Sequence, residues 1–140
     1  MPEGPVIIDT GPIVALLWAD EPHHAWAANQ IKTLPAPLLT CEPVLAESFH
    51  LMRRAPGGAK RLFQFLDRSL IKVEFNLMDE RDVLASLTHK YADLPMSLAD
   101  ACLVRMAELH SGSTVFTLDS HFRVYRKNRR QLIPLIIPDS

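Results

Sequence analysis

Short, wholly apolar runs alternate along the chain with longer segments whose apolar residues recur every three or four positions. The first run is PVIID, residues 5–9, bounded by Gly4 and Gly11. It reads as a strand buried on both faces, since neither face offers a polar set to solvent. TGPIVALLWAD follows. Thr10 can cap a helix, and Pro12 fits a first helical turn, where its missing N–H has no partner to lose. Asp20-Glu21-Pro22 stops that helix. Further helices are predicted over residues 23–33, with Trp26, Ala27 and Ile31 toward one face, and over 42–54, where Pro43 fits a first turn. Others are predicted over 60–68, 79–91 and 97–110. Gly57-Gly58 is expected to end the helix begun at residue 42, and SHFRVYR, after Asp119, looks helical. Strands are expected at 38–40, 70–75, 114–118 and 132–137. Pro134 places the last at an edge, because proline cannot donate to a ladder.

Strand and helix alternate from end to end. This pattern predicts an α/β fold with a central, mainly parallel sheet flanked by helices, since parallel strands require long crossovers. No repeat, low-complexity tract or linker divides the 140 residues. A single domain over residues 1–140 is expected, large enough to bury a core without staples.

Composition narrows the class. Hydrophobic residues make up 48% of the chain, which argues against disorder. The two cysteines, Cys41 and Cys102, sit in apolar stretches without metal-type spacing. They read as reduced, buried thiols of a cytosolic protein. The N-terminus lacks the basic region of a signal peptide, and no apolar run approaches the ~18 residues of a membrane span. A soluble cytoplasmic protein with no membrane partner is expected.

The candidate chemistry lies in four acids. Asp9 and Asp119 each end an apolar strand, and ligands of open parallel sheets bind just beyond those ends. Each is equally placed to cap the helix that follows. Glu47 lies within a predicted helix with Pro43, Val44, His50 and Leu51 as its i±3 and i±4 neighbours, on a solvent boundary or at a buried site. Asp100 completes Ser97-Leu98-Ala99-Asp100, a capping-box pattern, although Asp is a weaker partner than Glu or Gln there. The joint pattern says more than any one acid. Two carboxylates about 4 Å apart repel by roughly 4 kcal/mol near a protein surface. A convergent cluster must take up protons or bind a cation. An all-oxygen donor set suits Mg²⁺ or Mn²⁺ over Zn²⁺.

Competing chemistries fit poorly. Asp9-Thr10-Gly11 spells the aspartic-protease signature, but that reaction needs two such Asp residues on an all-β frame. Asp119-Ser120-His121 are consecutive and cannot form a relay. His23 and His24 are adjacent, so their side chains diverge on a helix. No glycine-rich phosphate loop is present. Phosphotransfer enzymes that use Asp-x-Asp after the first strand would need an acid where Gly11 stands.

Four segments together resemble the PIN-domain family, specifically its VapC-like toxin ribonucleases. They are VIIDTGPIVALL with Asp9, CEPVLAESFHLM with Glu47, YADLPMSLADACLV with Asp100 and VFTLDSHFRVYR with Asp119. The resemblance implies an α/β/α sandwich and a Mg²⁺-dependent (or Mn²⁺-dependent) endoribonuclease that leaves 5′-phosphate and 3′-hydroxyl ends. It implies Asp9, Asp100 and Asp119 as metal ligands and Glu47 as the residue that orients or deprotonates water. Thr10 and Thr117, beside those acids, could donate supporting hydrogen bonds; a helix cap and a buried strand position are the plain alternatives. A homodimer and a cognate antitoxin are the partners implied. Relatives often carry another acid two residues after the last site Asp, where this chain has His121. A solitary or non-catalytic PIN module binding RNA or a protein is the alternative function.

The charge balance reads differently in that light. The net charge is −1, and with the four acids set aside the rest of the chain is +3. Arg123, Arg126, Lys127, Arg129 and Arg130 cluster after Asp119, and Arg53, Arg54, Lys60 and Arg61 flank Gly57-Gly58. Either group could hold RNA phosphates or simply coat a solvated face, with Arg123, Arg126 and Lys127 the first candidates. Most of Trp18, Trp26, Phe49, Phe63 and Phe65 are expected in the core. The remainder could serve a dimer interface or an antitoxin groove.

Overall fold

The computed structural model describes residues 2–139. Five parallel strands form the central sheet: β1 (Val6–Ile8), β2 (Leu38–Thr40), β3 (Ile71–Val73), β4 (Thr114–Phe116) and β7 (Leu135–Ile136), in the order β3-β2-β1-β4-β7. A separate antiparallel hairpin pairs β5 (Arg126–Lys127) with β6 (Gln131–Leu132). Six helices flank the sheet: α1 (Thr10–Leu17), α2 (His24–Ile31), α3 (Glu42–Met52), α4 (Gly58–Asp67), α5 (Arg81–Lys90) and α6 (Leu98–Leu109).

The apolar runs became the central strands for the reason their composition implies. Every residue of β1 and β2 is buried, as are Val115 and Phe116 of β4. A sheet so covered needs helices on its faces. α1 packs on α2, α3 and α4, while α6 packs on α5 and on β1 and β4. α6 contributes Ala99, Ala101, Cys102, Leu103, Val104, Met106 and Ala107 to the core, and its small residues admit close approach to the strands.

Strand order positions the site. From β1 the chain steps to β2 and β3 on one side, then returns across the sheet to β4 on the other. The C-terminal ends of β1 and β4 therefore flank the point where winding reverses, and there the crossovers diverge to leave a crevice. Asp9 N–H donates to the Phe116 carbonyl over 2.9 Å, which locks the two ends in register. Thr40 Oγ1 donates to the Ile8 carbonyl over 2.9 Å and closes the end of β1 from the β2 side.

Three local expectations are corrected. SHFRVYR is not an extended helix: a single 3₁₀ turn covers Ser120–Arg123, and the chain then enters β5. The run 132–137 is not one strand. Pro134 divides it, so Leu132 joins the hairpin while Leu135 and Ile136 form the sheet edge. Gly57-Gly58 does not end α3, which stops at Met52; Gly58 instead opens α4. A Cβ on Gly58 would press into the Met52 carbonyl, so glycine is what lets α4 start so close behind α3.

Candidate active site

Asp9, Glu47, Asp100 and Asp119 line one open cleft of about 450 Å³ with Thr10, Gly11, Leu51, Pro95, Ser97, Leu118 and His121. Asp9 follows β1 and caps α1. Asp119 lies three residues beyond β4 and caps the 3₁₀ turn. Asp100 lies in the first turn of α6, and Glu47 shares a face of α3 with Leu51, four residues on. Three of the four acids thus sit at helical N-termini, whose free N–H groups and positive dipole ends favour negative charge.

Asp9 is 8% exposed. Its Oδ1 accepts the Thr10 N–H at 2.7 Å, and its Oδ2 accepts the Thr117 hydroxyl at 2.7 Å. Thr117 Oγ1 in turn accepts the Asp119 N–H at 3.0 Å. One buried hydroxyl therefore ties the end of β1 to the turn that carries Asp119. Thr10 contributes through its backbone; its own hydroxyl faces the Val44 carbonyl at 3.4 Å. Burial raises the Asp9 pKa to about 6 against the pull of these hydrogen bonds, with the charges of Asp100 and Glu47 adding to the rise.

Asp100 is held on one oxygen. Oδ2 accepts the Ser97 N–H at 3.3 Å and the Tyr125 hydroxyl at 3.1 Å, while Asp100 N–H donates to Ser97 Oγ at 3.0 Å. The capping box and a place in the cleft are therefore compatible roles for this carboxylate. Burial raises its pKa and the Asp119 charge adds to that, opposed by the Ser97 and Tyr125 hydrogen bonds. Burial likewise raises the pKa of Tyr125, with the Asp100 charge reinforcing it, so the phenol stays a donor. Asp119 Oδ1 accepts the His121 N–H at 2.9 Å and stands 3.4 Å from His121 Nδ1. Among the described residues, no Lys or Arg forms an ion pair with any of the four acids.

Negative charge gathered without a cationic partner fits a hard divalent cation. Among the described residues no three Asp, Glu, His or Cys side chains stand close enough to form a coordination shell alone. A small ion that keeps several waters and takes one or two carboxylates directly suits such an open arrangement, and this is how Mg²⁺ binds.

The basic residues distribute differently from expectation. Arg123, Arg126 and Lys127 do not line the carboxylate cleft. One guanidinium nitrogen of Arg126 donates to the carbonyls of Arg123, Val124 and Tyr125, and Arg126 faces a second groove between α5, α6 and the hairpin. Arg61 donates to the carbonyls of Leu17 and Pro56, tying α4 to the end of α1. Trp18, Trp26 and Phe65 pack against the core, whereas Phe49 and Phe63 are 40% and 54% exposed and meet edge to face at 6.1 Å. Cys41 and Cys102 are free and fully buried. Tyr125 was not among the residues the sequence singled out. Its signal, a tyrosine six residues after a strand-end Asp, has no fixed spacing rule, and only the fold brings it onto Asp100.

A parallel sheet between helices, with carboxylates gathered at its winding reversal, defines a class of acidic-site α/β/α domain. The PIN domain family model matches residues 6–128, and this chain belongs to the PIN domain family. It is similar to Ribonuclease VapC26 of Mycobacterium tuberculosis, with 30% identity over 126 residues that cover 86% of this chain and 92% of the relative. Asp9, Glu47, Asp100 and Asp119 all lie between residues 6 and 128. No helix among the described residues is long and apolar enough to cross a membrane.

Proposed function

We propose that this chain is a divalent-metal-dependent endoribonuclease and the toxin of a toxin–antitoxin pair, with residues 1–140 acting as one PIN domain. The observation that carries the reading is the cleft itself: four carboxylates at the reversal point of the sheet, none paired with a Lys or Arg among the described residues. Family membership and the likeness to a VapC ribonuclease support RNA as the substrate.

Asp9, Asp100 and Asp119 are the residues that would hold Mg²⁺ or Mn²⁺. When bound, the ion lowers the pKa of a water and offsets charge on the phosphate oxygens. Glu47 is exposed on α3 and free of hydrogen bonds among the described residues, so it can take a proton from the attacking water. Thr117 fixes the Asp9 carboxylate and the Asp119 backbone together. Arg123 and Lys127, whose side chains make no hydrogen bond among the described residues, remain candidates for RNA contact outside the cleft. A homodimer, a cognate antitoxin covering the cleft and a cytoplasmic location complete the reading.

The test uses purified protein, a mixed RNA pool including tRNA, and Mg²⁺, Mn²⁺ or EDTA. Cleavage is expected with either metal and is lost with EDTA and in Asp9→Asn and Asp100→Asn. Cleavage that survives EDTA, or that both variants retain, refutes the metal-site reading. A small adjacent reading frame encoding a DNA-binding protein that blocks cleavage supports the toxin role.

A further inference from the structure

An acid in the first turn of a helix is not fixed by that position alone. Asp100 reaches the Ser97 N–H only at 3.3 Å, at the long edge of hydrogen bonding, because an Asp side chain is one methylene shorter than the Glu a capping box prefers. Held by that bond alone, the carboxylate could swing between rotamers. The second donor on the same oxygen is the Tyr125 hydroxyl, at 3.1 Å.

Tyr125 is rigid for reasons independent of Asp100. It has no exposure to solvent. Tyr91 and Phe122 meet its ring edge to face, each at 5.1 Å between centroids, with interplanar angles of 66° and 88°. Its backbone N–H is tied to the His121 carbonyl at 3.1 Å. Asp100 is the hydroxyl's hydrogen-bond partner, and a buried phenol requires one. Packing thus sets where the hydroxyl stands, and the hydroxyl sets where Asp100 Oδ2 stands. Among the described residues no donor reaches Asp100 Oδ1, which leaves that oxygen for the cleft. Tyr125 lies two residues beyond the turn that Asp119 caps, so one side chain relates the segment carrying Asp119 to the helix carrying Asp100.

Resting on the metal-site reading above, we propose that Tyr125 is a positioning residue: its hydroxyl orients Asp100 so that the free carboxylate oxygen faces the metal. Partners of this kind typically change metal affinity by roughly tenfold to a hundredfold when removed. Tyr125→Phe keeps the ring and its packing and removes the donor.

The experiment is calorimetric titration of metal-free protein with Mn²⁺, on wild type, Tyr125→Phe, Tyr91→Phe and Asp100→Asn. Tyr91→Phe is the structural control, since the Tyr91 hydroxyl accepts the Arg126 N–H at 3.0 Å and lies outside the cleft. Tyr125→Phe is expected to bind Mn²⁺ about tenfold or more weakly, with its melting temperature no lower than that of Tyr91→Phe. In the Asp100→Asn background, Tyr125→Phe is expected to change nothing further. Equal affinity for wild type and Tyr125→Phe overturns the role of Tyr125 alone. A wild type that takes up no Mn²⁺ overturns the metal-site reading, and this proposal with it. A second readout covers the case in which Tyr125→Phe does not fold. The chain has two tyrosines, so Tyr91→Phe leaves Tyr125 as its sole tyrosine. Fluorotyrosine placed there is expected to shift its ¹⁹F resonance on Mg²⁺ addition, and to do so no longer with Asp100→Asn. A resonance that ignores Mg²⁺ overturns the proposal.

Discussion

The Thr117 hydroxyl and the Asp9 carboxylate, 108 positions apart in the chain, stand 2.7 Å apart at adjacent strand ends. Because Thr117 Oγ1 also accepts the Asp119 N–H, this bond couples the position of one site acid to that of another. Thr117→Val is nearly isosteric but removes both functions. It is expected to destabilise the fold by about 1–3 kcal/mol, the usual result of leaving a buried polar group unpaired. The Thr117 bond holds the Asp9 pKa down, so losing it drives that pKa up and moves the pH midpoint of metal uptake upward. Thr117→Ser should restore both. Thermal melts and metal titrations across pH check this, and a Thr117→Val midpoint equal to wild type would refute it.

Asp9 makes the metal-free protein less stable as pH rises. Its carboxyl pKa rises from the ordinary 3.8 to about 6 in the fold, so between those values the folded state keeps a proton that the unfolded chain releases. Stability is greatest below pH ~4 with respect to this group, falls across the window and stays lower above it. The difference is about 3 kcal/mol at most. Asp9→Asn removes the ionisation but weakens the Thr117 contact, for a net gain of ~1–2 kcal/mol at pH 8. An increase of roughly 3–6 °C in melting temperature is expected at pH 8, turning into a decrease near pH 4, where the ionisation penalty has largely gone and the weakened Thr117 contact remains. A melting curve insensitive to the substitution at pH 8 contradicts the burial argument.

Metal uptake should track the same group in the opposite sense. Binding must displace the Asp9 proton below pH ~6, so apparent Mg²⁺ affinity is expected to fall by up to about tenfold per pH unit there. Above that pH, saturating Mg²⁺ should raise the melting temperature of wild type and leave Asp9→Asn unmoved. Thermal shift at fixed Mg²⁺ from pH 5 to 8 provides the measurement.

Arg105 offers a purely structural contrast. It bonds Glu80 at 2.7 Å and Glu108 at 3.1 Å, and Glu108 also accepts the Asn128 N–H at 2.7 Å. The Glu80 and Glu108 side chains are only 18% and 11% exposed. Arg105→Met keeps the stem and leaves two carboxylates facing each other without their cation. A loss of about 2–3 kcal/mol is expected, with RNA cleavage per folded molecule unchanged. Reduced cleavage at full folding would place this network in the catalytic machinery.

The elements most legible in the sequence were those fixed by local pattern. PVIID and TVFTL carry no polar alternation, so they could only be central strands, and Pro12, Pro43 and Ser97 marked helix starts through backbone chemistry within one turn. Asp9 and Asp119 could be placed at strand ends for the same reason. SHFRVYR misled because its helical look is local, whereas its path is dictated from outside: Phe122 and Tyr125 are drawn into the core beside Tyr91, and the chain turns to follow them. Arg61 and Arg126 read as free positive charge until the fold brought backbone carbonyls against them.

The sequence by itself determined that the chain forms a parallel α/β fold and which acids could meet at the strand ends, because apolar periodicity and helix-start chemistry act over a few residues. Only the tertiary structure decided how those acids are held. Thr117 under Asp9, Tyr125 on Asp100 and the lack, among the described residues, of a Lys or Arg paired with the cleft acids all depend on strand order and packing, which unite residues 25 and 108 positions apart and leave no trace in any local window.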